Sequence, residues 1–276
     1  MRILVTGANG YIGSKVVRQL CDFNVDVIAT DFNNTNIDPR AEFIKVDIFE
    51  NKDDWSSYFN KPDACLHLAW RDGFVHNSPK HLEDLPNHKK FMFNLIDNGL
   101  PLISCMGTMH EVGYYEGAID ENTPCNPLSN YGISKNQLRQ DLENYCKDKG
   151  CNFQWLRAFY IYGDDLYGNS IFCKIRQAVN DGKELFPFTT GKNKFDFIHV
   201  DELAKQISMC VMQNKVNGII NVCSGKPISL AEQIEWYISY NNLPIKLDYG
   251  KYPDRPYDSP CVYGDNKKIS KILGGE

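Results

Sequence analysis

Tyr131 and Lys135, in the segment YGISK, stand four residues apart. On a helix that spacing puts a phenol and an ammonium on one face. Such a pair can move a proton. A phenol of pKa near 10 is a weak acid–base partner at neutral pH, and a nearby positive charge favours its phenolate. Bringing it from near 10 to near 7 takes about 4 kcal/mol of differential stabilisation. The spacing by itself is common, and an ordinary solvated helix face has it too. The chemical reading depends on what lies upstream.

Upstream is TGANGYIG, residues 6–13, with Gly7, Gly10 and Gly13. It follows the apolar run RILVT and opens a segment with Ile12, Val16, Val17 and Leu20 at helical spacing. A glycine loop between a strand and a helix is a dinucleotide site: Gly7 for the tight turn, Gly10 for backbone approach to a pyrophosphate, Gly13 for close helix packing. Asp31 ends the next apolar run. A carboxylate there accepts from ribose hydroxyls and repels a 2′-phosphate, which favours NAD(H) over NADP(H). Arg18 and Arg40 keep NADP(H) open. Asp47, ending a third run, stands where an adenine amino group could be held; a turn role is the alternative.

These residues need a scaffold. Strand-like runs at 2–6, 25–31, 42–47, 63–70, 100–106 and 152–163 alternate with helical segments at 11–22, 50–60, 81–98 and 129–148. That order predicts an α/β fold, a doubly wound parallel Rossmann sheet with right-handed crossovers. A polar stretch over 107–128 is long for a connection, and long ordered loops tend to be functional. Beyond it, helices near 170–181, 201–213 and 229–239 mix with strands near 195–199, 218–222 and 244–248. The expected division is a cofactor lobe over 1–165 with about 190–225, and a small C-terminal α/β substrate lobe over about 166–189 and 226–276.

The 276 residues carry a formal charge of −5, which argues against a general nucleic-acid binder. The sequence has no apolar run of membrane-spanning length and opens directly into a strand-like run, so a cytoplasmic protein is expected. Ten scattered cysteines without a CxxC read as free thiols. Six histidines lack zinc-ligand spacing, and no metal is expected.

Taken together, TGANGYIG, the aspartate ending strand two, VDI (46–48), HLAW (67–70), GT (107–108), YGISK, LRAFYIYG (156–163), FDFIHVDELA (195–204), INVCSGKPISL (220–230) and DRP (254–256) resemble the extended short-chain dehydrogenase/reductase family, its NAD-dependent epimerase/dehydratase group. The resemblance spans nearly the whole chain. It implies that Thr6, Gly7, Asn9, Gly10, Tyr11, Ile12 and Gly13 cradle the pyrophosphate. It gives the ribose to Asp31, the adenine to Asp47 and Ile48, and the cofactor path to Leu68, Ala69 and Trp70. Tyr131 and Lys135 become the catalytic pair, with Lys135 also on the nicotinamide ribose. Thr108, five residues ahead of Gly113, becomes the hydroxyl that orients the substrate oxygen; Ser104 competes from inside its strand. A homodimer pairing the helices around YGISK is usual in the family.

Departures from the family pattern narrow the chemistry. Sugar-nucleotide dehydratases place Asp-Glu directly after the threonine, whereas this chain has Met109-His110, which argues against elimination of water. His110 becomes a substrate-side candidate. Asn87 and His88 compete for an asparagine position. Lys194 replaces an arginine before the DF pair, leaving Arg255 as the candidate diphosphate clamp. Tyr114 and Tyr115 are candidates to shape a sugar pocket. The stretch 107–139 with DRPYDSP is similar to bacterial nucleotide-sugar 4-ketoreductases of the dTDP-fucose synthase and CDP-abequose synthase type. The expected reaction is NAD(P)H-dependent reduction of a C4 ketone on a deoxy-sugar nucleotide for surface polysaccharide. A 4-epimerase is the alternative, and a non-catalytic NAD(P)-binding regulator the rival from another class.

Overall fold

The computed structural model describes residues 1–163, 170–254 and 258–275. Its buried apolar runs form strands, and its amphipathic segments form the helices that cover them. The first half contains β1 (Arg2–Thr6), α1 (Tyr11–Asp22), β2 (Asp26–Asp31), β3 (Glu42–Lys45), α2 (Trp55–Tyr58), β4 (Ala64–His67), α3 (Lys80–Asp97), β5 (Leu102–Thr108), β6 (Gly117–Ile119) and α4 (Asn130–Lys149). The second contains β7 (Asn152–Ala158), β8 (Tyr160–Tyr162), α5 (Ile171–Asn180), β9 (Leu185–Pro187), β10 (Lys194–His199), α6 (Val200–Val211), β11 (Gly218–Val222), β12 (Pro227–Ser229), α7 (Leu230–Tyr240), β13 (Lys246–Asp248), β14 (Cys261–Gly264) and α8 (Lys267–Ile272).

Among the described residues, seven parallel strands form the main sheet in the order β11-β7-β5-β4-β1-β2-β3. The chain runs outward from β1 in both directions, so a crevice opens between the carboxyl ends of β1 and β4. In open α/β sheets ligands bind at that switch point. This is the α/β Rossmann-like architecture expected from the sequence. Val16, Val17 and Leu20 are fully buried on α1. At ~1.5–3 kcal/mol per fully buried side chain, they hold the start of α1 over the end of β1.

A second sheet, β12-β10-β14-β6 with β8 beside β10, builds the other side of the crevice. A separate aromatic-rich core supports it, including Phe172, Phe188, Phe195, Phe197 and Tyr237. Several elements differ from the sequence expectation. Helix 50–60 shrinks to one turn, because the Asp54 carboxylate caps it at Ser57 and the chain turns out at Asn60 and Lys61, both with positive φ. The run 152–163 breaks at Phe159, and its last part, β8, leaves the main sheet for β10. The 107–128 stretch holds a 3₁₀ turn at Met109–Glu111 and the strand β6. Strands β9, β12 and β14 are three or four residues long, too short to show periodicity.

β5 and β7 run side by side with Gly107 opposite Arg157. A Cβ on Gly107 would lie 2.2 Å from Nε1 of the fully buried Trp155. Gly107→Ala therefore has no room. It is expected to cost about 1–3 kcal/mol, read as a lower urea midpoint with an unchanged m value. A midpoint equal to the parent's would refute this packing.

Candidate active site

A cavity of about 2040 Å3 follows the carboxyl ends of the sheet into the second sheet. A single small-ligand site is roughly 300–1,000 Å3, so this one has room for two ligands side by side. Gly7, Gly10, Tyr11, Ile12, Gly13, Leu68 and Trp70 line one end, and Thr108, His110, Tyr131 and Lys135 line the middle.

The glycine loop fits a dinucleotide. Gly7 has φ +66°, and a Cβ there would lie 2.6 Å from the Ala69 amide nitrogen. A Cβ on Gly13 would lie 2.1 Å from the Gly7 carbonyl oxygen. No side chain caps the first turn of α1. Its leading N–H groups are thus suited to phosphate oxygens. Thr6 Oγ1 accepts from the Ala69 N–H at 3.3 Å and bonds His67 Nδ1 at 2.9 Å, tying β1 to β4 beneath the loop.

The adenosine end departs in detail. Asp31 lies against the loop, where its carboxylate accepts from the Asn9 N–H at 3.0 Å and the Phe32 N–H at 2.7 Å. The Asn9 amide is engaged within the protein. The amide donates to Asn33 Oδ1 at 2.7 Å and accepts from the Asn36 N–H at 2.7 Å, which draws segment 33–36 onto the loop. Arg40 is engaged by Asp38 and Asp22, leaving Arg18 as the arginine on the cavity wall. Asp47 serves a turn, accepting from the Phe49 N–H at 2.9 Å, and Ile48 packs on the apolar core behind the sheet. Asp31, Asn9, Asp47, Ile48 and Ala69 all lie outside the cavity lining.

Ser129 caps α4 by accepting from the Gly132 N–H. The first turn then presents Tyr131, and the second sends Lys135 inward. Lys135 is 3% exposed. Its Nζ donates to the Met106 carbonyl at 2.8 Å and sits 3.9 Å over the Trp70 ring. Burial lowers its pKa to about 8, against weaker raising effects from Cys105 and Glu111. Burial also raises the Tyr131 phenol above its ordinary value, and a hydrogen bond with Thr108 only partly offsets this. The expected fall from near 10 to near 7 is thus reversed in the chain itself. Desolvation dominates, and the Lys135 charge is spent on a carbonyl and an indole face.

Thr108 ends β5, and its Oγ1 accepts from the His110 N–H at 3.3 Å. Ser104 faces elsewhere, bonded to Gln154 at 2.6 Å inside the core. The backbone of Thr108 is fixed by Glu111, which the sequence reading did not single out. Glu111 and Arg157 are both fully buried, 3.5 Å apart. Glu111 Oε1 accepts from the Thr108 N–H at 2.6 Å and from Trp155 Nε1 at 2.8 Å. The Thr-x-x-Glu spacing is that of a capping box, a signal readable in the sequence.

Three of the six histidines, His76, His81 and His110, pack on the Tyr131 ring, and His88 with His67 behind it joins them through Trp70. His67 Nε2 and His88 Nδ1 are 2.9 Å apart in the core, which assigns His88 a structural place, and its ring stacks on Trp70. Trp70 Nε1 donates to His81 Nδ1 at 3.0 Å. His76 stacks on the Tyr131 ring at 5.5 Å and meets His110 at 4.4 Å. No local spacing announces this cluster, because it comes from four separate segments. Tyr114 reaches the cavity wall half-exposed, whereas Tyr115 packs into the second core. Lys194 is exposed at the start of β10. Arg255 lies outside the described residues.

Comparisons with known proteins follow the same lines. Residues 3–223 match the description "NAD dependent epimerase/dehydratase family". The chain is 42% identical over 271 residues to a dTDP-6-deoxy-L-talose 4-dehydrogenase (NAD(+)) of Aggregatibacter actinomycetemcomitans, covering 96% of this chain and 99% of that one. It is 29% identical over 294 residues to a putative UDP-glucose 4-epimerase of Methanocaldococcus jannaschii, covering 98% and 92%. In structure it is similar to the UDP-N-acetylglucosamine 4-epimerase of Methanobrevibacter ruminantium M1, with TM-score 0.85, 22% identity, and coverage of 98% and 91%.

The buried ammonium of Lys135 gives a stability test with a definite sign. Its folded pKa of about 8 lies below the ordinary 10.5. The charge therefore costs stability in full below about pH 8, and the cost fades as pH rises towards 10.5. Lys135→Met is expected to raise Tm by a few degrees at pH 7 and to lose this advantage near pH 10.5. A variant less stable than the parent at pH 7 would show that the Met106 and Trp70 contacts outweigh desolvation.

Proposed function

This chain belongs to the NAD dependent epimerase/dehydratase family, and from that premise we propose that it is an NAD(H)-dependent oxidoreductase of nucleotide sugars, acting at C4 of a dTDP-linked 6-deoxyhexose. The observation that carries this reading is that a dinucleotide loop and the Thr108–Tyr131–Lys135 group face one cavity with room for two ligands. The sugar assignment leans on the 42% identity to the dTDP-6-deoxy-L-talose 4-dehydrogenase across both lengths. A talose-type product is accordingly preferred to the fucose or abequose type.

Bound NADH supplies a hydride. Gly7, Gly10 and Gly13 with the start of α1 hold its pyrophosphate, and Asp31 its adenosine ribose. Thr108 hydrogen-bonds the ketone oxygen and fixes its direction. Tyr131 gives that oxygen a proton, for which a raised phenol pKa is suitable, since the group stays protonated at neutral pH. Lys135 offsets the phenolate charge left behind. Elimination of water is disfavoured, because Met109 replaces a carboxylate and the nearby Glu111 is turned into the core.

The division into cofactor and substrate lobes, and a homodimer pairing the α4 helices that carry YGISK, belong to this same reading. So does a place in making activated sugars for surface polysaccharide. A 4-epimerase is the second reading, favoured by the 29% identity to the M. jannaschii relative. Cofactor stoichiometry separates the two: a reductase oxidises one NADH per product, an epimerase none overall.

The test is incubation with dTDP-, CDP- and GDP-linked 4-keto-6-deoxy sugars and NADH or NADPH, following nicotinamide absorbance and identifying products by NMR. Oxidation of NADH with a dTDP substrate is expected, and no oxidation with any combination would sink the reading. Tyr131→Phe should lower kcat by at least about 100-fold with little change in NADH binding. Asp31→Ser should narrow the preference for NADH over NADPH, because a repelling carboxylate is removed.

A further inference from the structure

We propose that Asn9 is a positioning residue for the cofactor, clasping segment 33–36 onto the glycine loop so that the adenosine end of the cavity is already formed when NADH arrives. The proposal rests on the reading above, in which the glycine loop takes up NADH and releases its oxidised form at each turnover.

All four polar groups of Asn9 bond to the end of β2 and the segment after it. The Asn9 N–H donates to Asp31 at 3.0 Å. The Asn9 carbonyl accepts from the Asn36 side-chain amide at 3.3 Å. Its Oδ1 accepts from the Asn36 N–H, and its Nδ2 donates to Asn33 Oδ1, both at 2.7 Å. A backbone N–H can only donate, so Asn36 fixes which end of the Asn9 amide carries the oxygen. Asn33 Oδ1 also accepts from the Thr35 N–H at 3.3 Å and the Thr35 hydroxyl at 3.0 Å. One oxygen therefore shapes the turn and fastens it to the glycine loop.

Nothing else fastens this segment. Asn33, Asn34, Thr35 and Asn36 are all exposed, so apolar burial does not hold them. Among the described residues, every hydrogen bond that 33–36 makes beyond its own turn goes to Asn9. The next anchor along the chain is Ile37, which packs on the core beneath α1.

The segment is also a wall of the cavity. Thr35, Asn36 and Ile37 line it together with Gly7, Gly10 and Gly13, whereas Asn9 and Asn33 stand behind this wall and outside the lining. Either asparagine thus acts on the cofactor only through the wall it holds. A wall that becomes ordered only on contact weakens binding by the freedom it loses. The apparent Kd then rises as the reciprocal of the fraction of molecules with the wall in place. A reductase that trades oxidised for reduced cofactor in every cycle would meet that cost every time. The clasp removes it.

The test compares the parent with Asn9→Ala, Asn33→Ala and the double variant. Each is titrated calorimetrically with NADH and with ADP-ribose, which lacks the nicotinamide. Amide hydrogen exchange over 32–37 is followed with and without NADH. Asn9→Ala should raise both Kd values about 10-fold and Asn33→Ala about 5-fold, the worth of one or two hydrogen bonds. The double variant should bind no more weakly than Asn9→Ala, since both changes open the same clasp. Without NADH the Asn36 N–H should exchange faster in Asn9→Ala than in the parent, and NADH should restore the protection. The KM for the keto sugar at saturating NADH should not move. Kd values within about twofold of the parent in both single variants, a loss confined to NADH with ADP-ribose unaffected, or equal exchange at Asn36 in parent and Asn9→Ala would overturn the clasp. A parent that binds neither NADH nor ADP-ribose would instead overturn the functional reading, so the two failures are distinguishable.

Discussion

The ammonium of Lys135, almost fully buried on the cavity wall, is the constraint around which this site is arranged. A buried lysine ordinarily sheds its proton or finds a carboxylate. This one has neither outcome in full. It keeps a carbonyl bond to Met106 and an indole face, and its pKa stays near 8. Trp70 has to lie flat beneath it. That requirement propagates outward: His88 stacks on the indole and His81 receives its N–H. The cluster of histidines is therefore the packing that holds a large aromatic ring at the mouth of a parallel sheet.

A second buried charge fixes the opposite side. Glu111 and Arg157 are enclosed together, and such pairs rarely add net stability over an apolar pair of the same volume. What this pair does provide is position. Glu111 grips the Thr108 backbone and Trp155 at once, while Arg157 reaches the Asp120 carbonyl at 3.0 Å. One carboxylate thus locks the end of β5 to β7 and to the segment that crosses into the second sheet. Thr108 consequently faces Tyr131 from a rigid strand end rather than from a free loop.

The parts of this arrangement legible in the sequence were those with local spacing. The glycine loop, the strand–helix alternation and YGISK each fit within one element or one turn, where period and distance determine geometry. The side-chain partners of Asn9 were not legible, because Asn33 and Asn36 come from another loop. Residues 50–60 have helical composition but only one turn of helix, since a cap at Asp54 and left-handed residues at 60 and 61 decide its length. Glu111 had a readable capping-box spacing, whereas its pairing with Arg157 spans 46 positions along the chain. Spacing shows which charge stands near the phenol, not how much water is gone, so the upward push of burial on Tyr131 was not legible.

That sign bears on the protonation state in which Tyr131 waits for substrate. A phenol kept protonated by burial is ready to donate, and needs help before it can accept. A reductase begins with donation and a neutral reduced nicotinamide. An epimerase begins by removing a proton from a hydroxyl, which calls for a phenolate and hence for added positive charge nearby. Lys135, held by Met106 and Trp70, is the chain's own contribution to that charge, and an oxidised nicotinamide would add to it. One phenol serves both directions, because the proton transfer through Tyr131 is reversible.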